Sequence, residues 1–199
     1  MKLQIFRFLP FTRAEGPGNR ACIWVQGCKL RCTGCFNAHF WDLDGGFTID
    51  TEELYNQIIM QKDIEGVTFL GGEPFLQAEA LAQLGKKLKG ENLSIVTFTG
   101  YTLEHLRALE DKHVNDLLEI TDLLIDGPYK KELRTFERPW IGSSNQRYIF
   151  MTDRYRYLEE QMNSFQNRVE IQIEKDGLVS INGMADFEKL LDWLEEEEG

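Results

Sequence analysis

Cys28, Cys32 and Cys35 stand at C-x3-C-x2-C spacing, directly after the apolar run Ile23-Trp24-Val25 and the pair Gln26-Gly27. A tight loop can bring three such thiolates to one inorganic centre. Three is one fewer than a closed site takes. Structural zinc sits in a four-ligand tetrahedron, and an ordinary iron–sulfur cluster is held by four cysteines. The count therefore predicts a 4Fe-4S cluster with one iron left open for a ligand that is not protein. The competing reading is structural zinc, with Cys22 or His39 as the fourth ligand. Cys22 falls in an apolar strand pattern and reads better as a small buried hydrophobe, and His39 reads better as a packing residue.

A second group of residues suits an exogenous ligand. Gly71-Gly72-Glu73-Pro74 follows an apolar run. Its glycines let a polar molecule approach the backbone, Glu73 adds a carboxylate, and Pro74 stiffens the turn. Thr99 and Tyr101 offer hydroxyls, and Phe36 offers a face for a flat ring. Together these suit a molecule with an amino group, a carboxylate and an adenine. Each also has a plainer reading: a strand-to-helix turn with Glu73 near a helix N-terminus, and ordinary turn chemistry at Thr99-Gly100-Tyr101. Asp126 suits a cap, a cation or a ligand contact equally. His105 and His113 fall in solvent-leaning helical patterns.

The elements that must position these residues alternate. Leu3, Ile5 and Phe8 mark a first strand, and Ala21 to Val25 a second that delivers the chain into the cysteine loop. Asp50 and Glu53 form a capping-box pattern ahead of a helix whose buried stripe is Leu54, Ile58 and Ile59. Val67 to Leu70 is a strand, Ala78 to Leu88 a helix ended near Gly90, and Ser94 to Phe98 a strand. Leu103, Leu106 and Leu109 mark another helix, Val114 to Glu119 a further one, and Asp122 to Ile125 a buried strand. This order predicts parallel strands with helical crossovers, hence an α/β fold in a partial, open β/α barrel. In such folds the site lies at the carboxyl ends of the strands, where the cysteine loop, Gly-Gly-Glu-Pro, Thr-Gly-Tyr and Asp126-Gly127-Pro128-Tyr129 all fall. Beyond Arg147 to Met151, a strand candidate, come a helical piece around Tyr155 to Met162 and a hairpin of Arg168 to Glu174 and Leu178 to Ile181 turning at Asp176-Gly177. A terminal helix carrying Phe187, Leu190, Leu191 and Leu194 follows. The division expected is a core over residues 1–151 and an extension over 152–199 packed on it.

The 199 residues, 42% of them hydrophobic, suffice for one sizeable core. A net charge of −11, from 22 basic against 33 acidic residues, argues against nucleic acid, which needs clustered cations. No apolar run approaches the ~18 residues of a membrane helix. Four cysteines, three of them clustered, point to reduced cytosolic thiols rather than a disulfide framework, so a cytoplasmic protein without a membrane partner is expected.

C-x3-C-x2-C after one strand and Gly-Gly-Glu-Pro after the next resembles the radical S-adenosylmethionine (SAM) superfamily. Glu15-Gly16-Pro17-Gly18-Asn19-Arg20 before the cysteines, Thr99-Gly100-Tyr101, Asp126-Gly127 and Gly142-Ser143-Ser144-Asn145-Gln146 narrow the likeness. Over Glu15 to Gln146 the chain resembles the glycyl-radical activases of anaerobic (class III) ribonucleoside-triphosphate reductases. The resemblance implies that Cys28, Cys32 and Cys35 bind three irons of a 4Fe-4S cluster and that SAM chelates the fourth. It implies SAM contacts from Gly34, Cys35, Phe36, Gly71, Gly72, Glu73, Thr99 and Tyr101, with no catalytic side chain beyond the cluster and SAM. It further implies flavodoxin or ferredoxin as electron donor, and a glycine in a partner anaerobic ribonucleotide reductase, or another glycyl-radical protein, as target. Two departures stand out: many superfamily members carry an aromatic residue where this chain has Gly34, and the compact activases end soon after the Gly-Ser-Ser-Asn-Gln block. A radical SAM enzyme acting on a small molecule or peptide, and a non-catalytic zinc or electron-transfer module, are the alternative functions.

Overall fold

The apolar runs of this chain become the middle of a sheet because they are buried on both faces. In the computed structural model, which describes residues 1–173, 177 and 179–186, β1 (Lys2–Thr12) and β2 (Arg20–Val25) pair antiparallel. After the cysteine loop come β3 (Phe47–Asp50), α1 (Thr51–Ile59) and β4 (Gly66–Gly71). Next are α2 (Ala78–Gly90), β5 (Ser94–Phe98), α3 (Leu103–Ala108), α4 (Lys112–Ile120) and β6 (Leu123–Asp126). Strand β7 (Arg147–Phe150) follows a long loop. The seven strands are ordered β3-β1-β2-β4-β5-β6-β7. Only β2, β4, β5 and β6 run parallel; β1, β3 and β7 pair antiparallel.

The expected parallel barrel is therefore met in part: the fold is α/β with a parallel centre, but the sheet is mixed and open. The cause is the connections. A parallel neighbour needs a crossover of a dozen residues or more, usually helical; only seven residues join β1 to β2, and the longer loop from β6 to β7 has no α-helix to make the crossover. Strand β3 was not expected. Its Phe-Thr-Ile-Asp is too short for a clear period, and it gains its partner, β1, from more than forty residues away.

Strand alternation divides the core into two. Ala21, Ile23 and Val25 of β2, Val67 and Phe69 of β4, Ile95 of β5 and Leu124 of β6 face α1, α2 and α4 and join Leu54, Ile58, Leu81, Leu84, Leu88 and Leu117. Burying each such aliphatic side chain contributes roughly 1.5–3 kcal/mol. The opposite face carries Cys22, Trp24 and Leu70, with Val96, Leu123 and Ile125 farther along. Two expected stripe residues are solvent-facing: Ile59 is 42% exposed and Leu109 50%, each at the fraying last turn of its helix. The expected capping box is also replaced. Asp50 caps α1 through Glu52 N at 2.8 Å, while the Glu53 carboxylate accepts from Gln57 one turn on.

After β7 the chain makes a 3-10 segment, Asp153–Leu158, and then a hairpin of β8 (Val169–Ile173) and β9 (Val179–Gly183). The hairpin is tied to β1 and the turn after it. The Arg7 guanidinium donates to Ser180 Oγ at 3.0 Å, Arg13 N to Glu170 Oε1 at 2.8 Å, and Asn182 Nδ2 to Thr12 Oγ1 at 2.9 Å. The expected terminal helix and most of the hairpin turn, Asp176 included, lie outside the described residues.

Candidate functional site

Strand β2 ends at Val25, and two residues on, Gly27, with a φ of +94°, turns the chain out of the sheet. Gly27 N donates to Phe40 O at 2.8 Å and Cys28 N to Trp41 O at 3.2 Å. The cysteine loop is thus closed at its neck, as a flap. Inside it, Arg31 and Gly34 take left-handed backbone, and Cys35 N donates to Cys32 O. Gly34 is needed for that turn, which accounts for the missing aromatic residue there.

All three thiols are free and half-buried. Burial is the largest cause raising the pKa of each; nearby negative charge, from Glu73 and a neighbouring thiolate at Cys28 and from Cys35 and Glu73 at Cys32, adds to it. Without a cation these groups stay protonated thiols, and a bound metal centre reverses that preference. Among the described residues no group of three His, Cys, Asp or Glu side chains is drawn tightly enough to hold a metal ion as it stands. The donor set nevertheless fits a three-cysteine cluster loop. Cys22, fully buried, packs with Leu9, Trp24 and Phe40, and the His39 ring packs against Phe6 and Phe40. Neither joins the three as a fourth ligand.

The Gly-Gly-Glu-Pro turn lies directly against this neck. Gly72 N donates to Val25 O and Glu73 N to Gly27 O, both at 2.8 Å. A Cβ on Gly71 would stand 2.7 Å from Val25 N, and one on Gly72 2.2 Å from Gly27 O. Both glycines are therefore required by the approach of β2 to β4, so their bare Cα positions are taken up by protein backbone. Glu73 is 0% exposed. Its Oε1 accepts from Phe75 N and Thr99 Oγ1, and its Oε2 from Gly100 N. Burial pushes its carboxyl up to about 7 even against those hydrogen bonds. Leu30 of the cysteine loop packs onto Gly100 so closely that a Cβ there would meet its Cδ1 at 2.4 Å. The structure thus brings Gly71, Gly72, Glu73 and Thr99 together beside the cysteine loop. Tyr101 stands farther out, stacked on His105.

Cys35 and Phe36 face elsewhere, into a cavity of about 380 Å³. Its sheet side is Trp24, Leu70 and Phe98, and Asn182 and Met184 of the hairpin segment stand among its walls. Phe36 is 49% exposed and carries the Arg134 guanidinium 5.2 Å from its ring centre. Of the lining, Cys35 and Phe36 were expected at the site, and Trp24, Leu70, Phe98, Asn182 and Met184 were not. Trp24 and Leu70 were legible in principle, since β2 and β4 alternate; the hairpin's place over the cavity had no local signal. Glu15 also lines it, buried, its Oε1 accepting from Gly183 N at 2.8 Å, and burial raises its carboxyl to about 7.

Other motif residues hold the frame. Asp126 Oδ2 accepts from Leu103 N at the start of α3, and Arg147 grips both its oxygens at 2.8 and 2.5 Å, which makes it a cap and ion-pair partner. Gln146 Oε1 accepts from Gly142 N and Ser143 N, while Asn145 Nδ2 donates to Pro128 O. The Gly-Ser-Ser-Asn-Gln block thereby folds its own loop. Arg20 is fully buried and donates to Thr68 Oγ1, Ser94 Oγ, Tyr155 Oη and the carbonyls of Pro17, Val67 and Ser94.

The family model described as "4Fe-4S single cluster domain" matches residues 14–149. Three curated relatives are called anaerobic ribonucleoside-triphosphate reductase-activating protein. That of Enterobacteria phage T4 is 33% identical over 74% of this chain and 94% of its own length. The Vibrio cholerae protein is 34% identical over 70% and 93%, and the Escherichia coli K12 protein 28% over 70% and 94%. Among solved structures, QueE from Escherichia coli aligns with a TM-score of 0.43 at 21% identity, covering 51% of this chain and 54% of that one. The chain belongs to the 4Fe-4S single-cluster domain family, among the anaerobic ribonucleoside-triphosphate reductase-activating proteins.

Proposed function

We propose that this chain is a radical SAM activase that generates a glycyl radical in a partner anaerobic ribonucleotide reductase. The observation that carries the reading is its likeness to activating proteins over more than nine-tenths of their length, joined to a flap bearing three cysteines and no fourth ligand. Cys28, Cys32 and Cys35 would hold three irons of a 4Fe-4S cluster, with flavodoxin or ferredoxin as the electron source. Gly34, Phe36, Gly72, Glu73, Thr99 and Tyr101 would hold SAM against the remaining iron. When bound, cluster and SAM supply the reductive scission that yields methionine and a 5′-deoxyadenosyl radical. The protein's part is geometric. The turn of Gly71 to Glu73 fixes the flap against the sheet, and the apolar floor of Trp24, Leu70 and Phe98 keeps water from the face where a target glycine presents its α-hydrogen. In this reading residues 1–151 are a partial barrel core and residues 152–199 an extension, and the protein works in the cytoplasm.

The test is anaerobic reconstitution with iron, sulfide, SAM, reductant and the candidate reductase. Equal iron and sulfide, formation of 5′-deoxyadenosine and a glycyl-radical EPR signal are the expected results, with all three lost in Cys32→Ala. One zinc and no iron would sink the reading. A second reading is favoured by the hairpin beside the cavity: a small-molecule substrate. Deoxyadenosine without any glycyl radical would select it.

A further inference from the structure

The rim of the cysteine flap departs from the charge of the whole chain. The protein carries a net −11, yet no acidic residue occurs from Cys28 to Trp41, and Lys29 and Arg31 stand exposed between the first two cysteines. The loop after β6 adds exposed Lys130, Lys131 and Arg134 to the same rim, against one exposed acid, Glu132, so the excess stays positive. The two stretches are in contact: a Cβ on Gly34 would lie 3.1 Å from Lys131 Cδ, and Arg134 lies over the Phe36 ring. Among the described residues Lys29, Arg31, Lys130 and Lys131 have no ion-pair partner, whereas Arg134 approaches Asp186 at 3.9 Å. The half-buried cysteines lie within this collar, on a loop whose inner side, at Cys35 and Phe36, faces the cavity.

We propose that this basic collar is the docking surface for an acidic one-electron carrier protein, which reduces the cysteine-held cluster from the solvent side while the target occupies the cavity side. The proposal rests on the activase reading and adds to it where the donor binds and by what force. An acidic partner is repelled by the rest of an acidic surface and attracted at one rim, so the field itself selects the orientation. The redox balance is simple: the carrier, as a flavin hydroquinone or a reduced iron–sulfur protein, is oxidised by one electron, and the cluster accepts it.

An acidic flavodoxin serves as probe against the full-length, cluster-loaded protein. The Kd for oxidised flavodoxin, measured at low and high salt, and the rate of electron transfer from its hydroquinone are compared with the same quantities for Lys29→Glu/Lys130→Glu. The expected result is a Kd weakened about tenfold or more at low ionic strength and a flattened salt dependence, with iron content and dithionite-driven reduction unchanged. Lys130→Glu/Lys131→Glu, which leaves the cysteine loop untouched except by packing, gives the same loss. Unchanged Kd and salt slope in both variants overturn the proposal. If dithionite fails to drive SAM cleavage in the unmodified protein, the activase reading falls and the binding result stands apart from it.

Discussion

At the beginnings of β2, β4 and β5 every donor of a buried cation is matched inside the protein, whereas at their ends burial outweighs the hydrogen bonds that the acids receive. Arg20, Thr68, Ser94 and Tyr155 form a closed hydrogen-bonded set at the start of the strands. At the other end three thiols and Glu73 share a partly buried region in which burial dominates every shift in their acidity. One motif contributes to both situations: Glu15 and Arg20 lie five residues apart, and Arg20 is fully satisfied while Glu15 holds a raised pKa beside the cavity. Burial of a charge with complete partners specifies a frame, and burial of acids whose ionisation it opposes leaves a region that a cation can reorganise.

The largest effect expected is at Arg20. Arg20→Ala leaves a cavity and several acceptors without donors, and should cost roughly 3 kcal/mol or more, read from urea midpoints of the iron-free protein. A variant as stable as the parent would break the contrast between the two ends. Glu15 sharpens it through pH. Its carboxyl lies at about 7 when folded against an ordinary 4.5, so the folded chain holds the proton more tightly. The contribution of Glu15 to stability is therefore full below pH 4.5, falls as pH rises from 4.5 to 7, and is level above. Arg7, Glu170 and Asn182 face this group, Arg7 and Asn182 opposing the shift and Glu170 adding to it. In Glu15→Gln the loss between pH 4.5 and 7 should shrink by up to roughly 3 kcal/mol, measured as the difference from the parent in urea unfolding at pH 5 and pH 8; identical slopes would remove the assignment.

Gly72→Ala comes next. Its methyl would be driven into the Gly27 carbonyl, with an overpacking cost of roughly 1–3 kcal/mol and reduced iron uptake on reconstitution. Full loading with unchanged stability would mean that the flap and the β4 turn move independently. The smallest effect belongs to Glu104→Gln. The Arg147 side chain holds the Glu104 carboxyl down at about 2, but the pair is solvent-exposed at the Glu104 end and such pairs contribute little. No measurable shift of the thermal midpoint is expected, because Asp126 keeps Arg147 in place.

How much of this was legible depends on the reach of each interaction. The parallel centre showed in Ala21 to Val25, Val67 to Leu70 and Ser94 to Phe98, because strands buried on both faces read as continuous apolar runs. The cysteine spacing and the Gly-Gly-Glu-Pro turn were equally plain. The lock at Arg20 was not, since Thr68, Ser94 and Tyr155 lie 48, 74 and 135 residues away. Asp126 could be a cap or a ligand until Arg147 and Leu103 were seen on it. Gly71 and Gly72 looked open to a ligand because sequence does not show that β2 runs against them. The basic collar was hidden by the overall acidity, which averages over a fold that sorts its charges.

The hydrogen bonds from Gly72 N to Val25 O, Glu73 N to Gly27 O and Gly27 N to Phe40 O form a three-rung seam between the flap and the sheet. No rung can open alone without exposing the next, so the amides of Gly27, Gly72 and Glu73 should exchange with deuterium as one unit rather than at separate rates. Metal ligation at the tip of the flap would then be felt at its root: loading the cysteines would slow the exchange of Gly72 and Glu73, which hold no ligand thiol, and stripping the iron would quicken all three together.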